Sequence, residues 1–180
     1  KAADIVVLSR MINAGQSCIA AKRILVEAPV YDDFVDKLAS RMEQLVIGDP
    51  LLDDTQIGPI ARQDLMNNLH RQVADTINAG ARCLLGGEPL HRPGFYYPPT
   101  LLVDVEPGMA AGLGASIWTN TPRQKRQAIL RLQAGQVAVN GIVKTDPRLP
   151  SGGIKKSGYG RELGPQGIRE FTNAKQVWIG

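Results

Sequence analysis

Across residues 23–140 the sequence switches repeatedly between two periodicities, and that alternation limits the fold more than any other feature. Short β-rich runs stand at RILVE (23–27), ARCLLGG (81–87), YYPPTLLVDV (96–105), GASIWT (114–119) and QVAVN (136–140). Between them, Val30, Phe34, Leu38, Met42 and Leu45 fall on one helical stripe that stops before Gly48. Leu65, Leu69, Val73 and Ile77 form a second stripe ending at Gly80, and a third helix opens at Thr121–Pro122 and closes before Gly135. Strands of period two alternating with helices of period 3.6 predict βαβ units, hence an α/β fold with a largely parallel sheet flanked by helices.

Composition excludes several other classes. With 43% hydrophobic and 21% charged residues the 180-residue chain is neither disordered nor fibrous, and one core is expected. No apolar run has the ~18 residues that a membrane span requires, so no membrane partner is expected. The net charge of +4 is spread along the chain and is not interleaved with aromatics, which argues against nucleic acid. Cys18 and Cys83 are far apart and form no CxxC, which suits a reducing compartment; a cytoplasmic protein is the expectation. The chain opens mid-pattern at KAADIVVLSRM, so a true N-terminus is expected to lie upstream.

Two motif classes fail on inspection. The glycine-dense segment SGGIKKSGYGRELG (151–164) lacks a Walker loop, because Lys155 precedes Lys156 and Ser157 where a glycine is needed. It lacks a dinucleotide fingerprint as well: Leu163 takes the third glycine's place and no strand leads in. Its glycines are expected to let the backbone approach something closely. His70 and His91 have no metal-ligand spacing, and Cys83 reads as a small buried hydrophobe, so no metal site is expected.

Cys18 differs from Cys83. Ile5, Leu8 and Ile12 at helical spacing lead into a bend, NAGQSC (13–18), where small residues would let a substrate approach the thiol. A following helical turn would favour the reactive thiolate, and amides of such a bend can face an oxyanion, each donor contributing on the order of 3 kcal/mol. Spacing alone leaves a nucleophile and an inert bend residue both open, since no partner base is visible nearby.

NAGQSC (13–18), GDPLLDDTQIGPIA (48–61), YYPPTLL (96–102), SGGIKKSGYGRELG (151–164) and EFTNAKQVWI (170–179) occur in an order that resembles the NAD(P)-dependent aldehyde dehydrogenases, with the succinate-semialdehyde dehydrogenases nearest. The resemblance implies a catalytic domain over residues 1–163, then a helix and an oligomerisation strand over residues 164–180. It implies Cys18 as the nucleophile of a thiohemiacetal and thioester route to the acid, with NAD or NADP as hydride acceptor and a homodimer or homotetramer as the assembly. The family's oxyanion asparagine, its general-base glutamate and its Rossmann-like domain have no counterpart in these 180 residues. Between VEPGMAA (105–111) and GLGASIWT (112–119) the family carries further residues, including a Glu-x-Phe-Gly-Pro motif, so a missing segment is expected at the 111/112 junction.

The same likeness places Asp146, Arg148 and Ser151 near the substrate. Arg148 would pair with a substrate carboxylate such as that of succinic semialdehyde, or else form a solvated pair with Asp146. Ser151 stands where many family members have phenylalanine, and Ile12 where some succinate-semialdehyde dehydrogenases have arginine. A CoA-acylating relative and a non-catalytic scaffold are the other readings left open.

Overall fold

A computed structural model describes residues 1–105 and 111–179. The chain divides into two compact units, residues 1–108 and 109–180.

In the first unit, helix α1 (Ala2–Met11) packs on α2 (Tyr31–Glu43). Val6 and Val7 of α1 meet Leu38 and Met42 of α2 in one buried cluster. Strand β1 (Arg82–Leu85) pairs antiparallel with β2 (Leu101–Val103), with a bulge between Cys83 and Leu85. Because side chains alternate along a strand, Leu101 and Val103 enter the α1–α2 cluster while Leu102 packs against a second cluster. Met66 and Val73 of α3 (Gln63–Asn78) build that second cluster with Ile60 and Tyr97. The buried face of α3 therefore runs through Met66, Leu69 and Val73, one step round from the stripe expected through Leu65, which stays exposed with Ile77.

The expected strand at residues 23–27 does not form. Leu25 is 97% exposed and no strand pairs with this run among the described residues, so its β propensity finds no ladder there. Pro29 instead starts a short 3-10 turn (Ala28–Val30) that leads into α2.

The second unit holds β3 (Ala111–Gly112), β4 (Gly114–Ile117), α4 (Pro122–Arg131), β5 (Gln136–Val139), β6 (Ile154–Lys155) and α5 (Gly164–Glu170). Strands β4 and β5 are parallel, in register from Gly114↔Gln136 to Ile117↔Val139, with α4 in the crossover. This is the βαβ unit that the alternation predicts, because parallel neighbours need a crossover long enough for a helix. The α/β class holds, and two antiparallel pairs, β1–β2 and β3–β6, accompany the parallel one. Residues 173–179 make no ladder within the described chain, and Val177, Trp178 and Ile179 are exposed. Among the described residues no helix is long and apolar enough to cross a membrane.

Candidate active site

Cys18 lies at the second position of a turn closed by the Ala20 N–H donating to the Ser17 carbonyl (3.0 Å), and it is exposed. The chain reaches it through a 3-10 turn, Ile12–Gly15, in which three successive residues are left-handed: Asn13 (φ 51°), Ala14 (φ 52°) and Gly15 (φ 77°). Glycine adopts this conformation freely, whereas Ala14 bears a Cβ that costs on the order of 1 kcal/mol there. Strain of that kind persists only where neighbouring contacts hold it.

Two side chains supply those contacts, and neither is evident from the sequence. Arg10, in the last turn of α1, donates from Nη2 to the Gly15 carbonyl (2.6 Å) and from Nη1 to the Ala21 carbonyl (3.2 Å), so its guanidinium bridges the two ends of the bend. The Ala21 N–H donates back to the Ser9 carbonyl. Gln16 ties the bend to the loop before α3: its Oε1 accepts from the Ala61 N–H (2.9 Å), and its Nε2 donates to the carbonyls of Asn13 (3.2 Å) and Pro59 (3.5 Å). These bonds join GQSC to IGPIA across the fold. The available signal was a basic residue at a helix C-terminus, where cations favour exposed carbonyls.

Beside this bend Asn13 and Ala14 join Thr55, Gly58 and Pro59 around a cavity of about 310 Å³, although Cys18 is not in its wall. Cys83 is half-buried, with its thiol donating to the Leu85 carbonyl (3.3 Å). His70 faces the Tyr97 hydroxyl (3.1 Å), and Tyr97 itself donates to the Gly87 carbonyl (2.8 Å). Burial, with help from Glu88 and Cys83, pushes the Tyr97 phenol up to about 12. Among the described residues no group of three or more His, Cys, Asp or Glu gathers as a metal site.

In the second unit Asp146 and Arg148 form a bidentate pair, Nε to Oδ1 at 2.9 Å and Nη2 to Oδ2 at 2.7 Å. The Arg148 backbone N–H also donates to Asp146 Oδ1 (2.9 Å). The Arg148 guanidinium, followed by that amide, holds the Asp146 carboxyl down at about 2. Asp146 and Ser151 line a cavity of about 410 Å³ with Gln136 and Val143, whereas Arg148 points elsewhere and is largely exposed. Ser151 is buried: its hydroxyl accepts from Gln136 Nε2 (2.8 Å), and its backbone exchanges two hydrogen bonds with Glu162 (2.8 Å each).

The sign of the Asp146 shift gives a test. A carboxyl whose folded value is depressed stabilises the fold above its unfolded value of 3.8, and that contribution disappears as pH falls toward about 2. Arg148→Ala is expected to return the Asp146 titration to the ordinary carboxylate range, as read by carbon-detected NMR. An Asp146 midpoint still near 2 in that variant would show that Arg148 is not the cause.

A glycine loop that cradles phosphates opens its amides toward them. Here segment 151–164 closes on itself. A Cβ at Gly152 would lie 2.7 Å from the Gly160 carbonyl oxygen, and one at Gly153 would lie 2.6 Å from Ser157 Cβ. The close approach these glycines permit is to the loop's own backbone, so segment 151–164 is not a phosphate cradle.

The sequence pattern of the Aldehyde dehydrogenase family matches residues 1–111 and 109–177. A Synechocystis sp. protein named as a probable succinate-semialdehyde dehydrogenase (NADP+) is 44% identical over 209 residues, which covers 99% of this chain and 46% of that protein. A Mycobacterium bovis succinate-semialdehyde dehydrogenase (NADP+) is 43% identical, over 96% of this chain and 44% of its own length. Among solved structures, lactaldehyde dehydrogenase from Escherichia coli superimposes with a TM-score of 0.94 at 29% identity, covering 99% of this chain and 44% of that one. The chain thus spans less than half the length of the relatives it matches.

Proposed function

The chain belongs to the aldehyde dehydrogenase family, and from that premise we propose that it supplies the nucleophilic part of an NAD(P)-dependent oxidation of an aldehyde to its carboxylic acid. The observation that carries this reading is Cys18, exposed on a turn whose strained approach is held by Arg10 and Gln16. In this reading the Cys18 thiolate adds to the carbonyl carbon, and the carbonyl electron pair moves to oxygen. The amides of Gln16 and Ala20 are engaged within the bend, at Asn13 and Ser17; the Cys18 amide, on the residue that carries the thiol, is proposed as the backbone donor for that oxyanion. Loss of hydride from the same carbon leaves a thioester; water then attacks it, the C–S bond breaks, and the acid and free thiol result. The chemistry supplied by NAD or NADP is acceptance of that hydride, and no residue of this chain is assigned to its site.

Relatives named as succinate-semialdehyde dehydrogenases support succinic semialdehyde as the substrate. Asp146, Arg148 and Ser151 are proposed for the substrate loop. Their pair occupies Nε and Nη2 of Arg148, so the Nη1 edge is the part a substrate carboxylate would meet. We place the catalytic domain at residues 1–163, with residues 164–180 adding a helix and a strand that joins another subunit in a homodimer or homotetramer. The exposed Val177, Trp178 and Ile179 support that strand, since an apolar unpaired segment calls for a partner. A missing segment at the 111/112 junction is supported by the family match, which breaks there into two stretches, and by an alignment of 209 positions against 180 residues.

Iodoacetamide tests the reading. In the complete protein Cys18 is expected to alkylate at least about tenfold faster than Cys83, and aldehyde should protect it. Equal, unprotected labelling of both thiols would favour a non-catalytic scaffold. Aldehyde-protected labelling with product released only to CoA would indicate the acylating type.

A further inference from the structure

We infer that Arg10 is a positioning residue for Cys18: by bridging the Gly15 and Ala21 carbonyls it fixes the bend that aims the thiol, and its contribution is to turnover and not to folding. The inference rests on the proposed role of Cys18.

The contacts are specific to a guanidinium. One planar group reaches across the cysteine, from the carbonyl three residues before it to the carbonyl three residues after it, through two different nitrogens. A lysine ammonium is a single point donor and can hold one end well or both poorly. Arg10 is half-buried, and burial pulls its guanidinium below the ordinary arginine value, as expected of a cation whose solvation is replaced by carbonyl oxygens. A Cβ at Gly15 would lie 2.2 Å from Arg10 Nη2, so the glycine of the GQSC bend admits the guanidinium as well as supplying the left-handed turn. The hydrophobic cluster that holds α1 on α2 is built from Val6 and Val7 and does not include Arg10. Loss of the guanidinium therefore removes the tie between the two ends of the bend, leaving the Gln16 contacts on its first half, while the helix pair stays packed.

Misplacing a reacting group by about 1 Å costs on the order of a hundredfold in rate. The test compares Arg10→Met, which keeps the stem, and Arg10→Lys, which keeps the charge, with the unaltered complete protein. Three readouts are followed: kcat and KM for the aldehyde, hydrogen exchange of the 16–21 amides, and alkylation of Cys83 as an internal measure of folding in the same unit. Arg10→Met is expected to lower kcat about a hundredfold with KM changed less than about threefold, and to speed exchange across 16–21, while Cys83 labels at its original rate. Arg10→Lys should recover part of the lost kcat. An unchanged kcat, or unchanged exchange across the bend, overturns the inference. So does faster Cys83 labelling in step with the loss of activity, which would make Arg10 a folding residue. If the unaltered protein itself shows no aldehyde-protected labelling of Cys18, the functional reading has failed, and this inference with it; the unaltered protein alone tells that case from the others.

Discussion

Cys18→Ser in the complete protein is expected to lower aldehyde oxidation by on the order of 10⁴-fold or more while leaving the melting temperature nearly unchanged. Serine has almost the volume of cysteine, and position 18 is exposed on a turn closed by backbone groups of Ser17 and Ala20, so the bend keeps its hydrogen bonds. What changes is the nucleophile. A thiol yields useful thiolate near neutral pH, whereas a serine hydroxyl needs an adjacent base. None of the contacts that shape the bend brings one: Arg10 is a cation, and Gln16 is a neutral amide already bound to Ala61 and Asn13. The measurement is reduced-cofactor absorbance at saturating aldehyde, with mass spectrometry for an acyl adduct on residue 18. Retention of even a tenth of the original rate would remove Cys18 from the chemistry.

Gly135→Ala is the substitution expected to damage the fold most. Gly135 precedes β5, and a Cβ there would lie 1.8 Å from the Gly152 carbonyl oxygen and 2.8 Å from its carbon. Both are backbone atoms, and Gly152 is itself pressed against Gly160, so the loop has little room to retreat. Overpacking of this kind costs about 3 kcal/mol. The damage should spread to Gln136, whose amide holds the buried Ser151 hydroxyl, and to the β4–β5 ladder. Gly141→Ala is the matched control, since its nearest atom would be Val139 O at 4.0 Å and a change within about 0.5 kcal/mol is expected. Urea midpoints and exchange of the 136–139 amides read both. A Gly135→Ala midpoint equal to that of the control would show that the glycine loop yields.

Much of this was legible in the sequence, for identifiable reasons. Leu38 and Met42 were found because a helix buries a periodic stripe, and β4–α4–β5 because a period-two run on each side of a helix has few ways to pair. Cys18 stood out because its neighbours are small and turn-forming. The strand expected at residues 23–27 shows the limit: propensity marks residues that suit a sheet, but pairing requires a neighbour that local composition does not reveal. The α3 stripe was off by one position because Leu65 and Met66 are equally apolar, and only the surroundings choose between them.

The sequence by itself determined the alternation of elements, the family, and which cysteine stands on a bend, because these depend on local periodicity and on ordered motifs. Only the tertiary structure decided what holds that bend and what the glycines of 151–164 approach. Arg10 reaches Gly15 and Ala21, Gln16 reaches Ala61 from 45 residues away, and Gly135 meets Gly152. Directional hydrogen bonds and steric contacts act between atoms a few ångströms apart, and distance along the chain does not measure that separation.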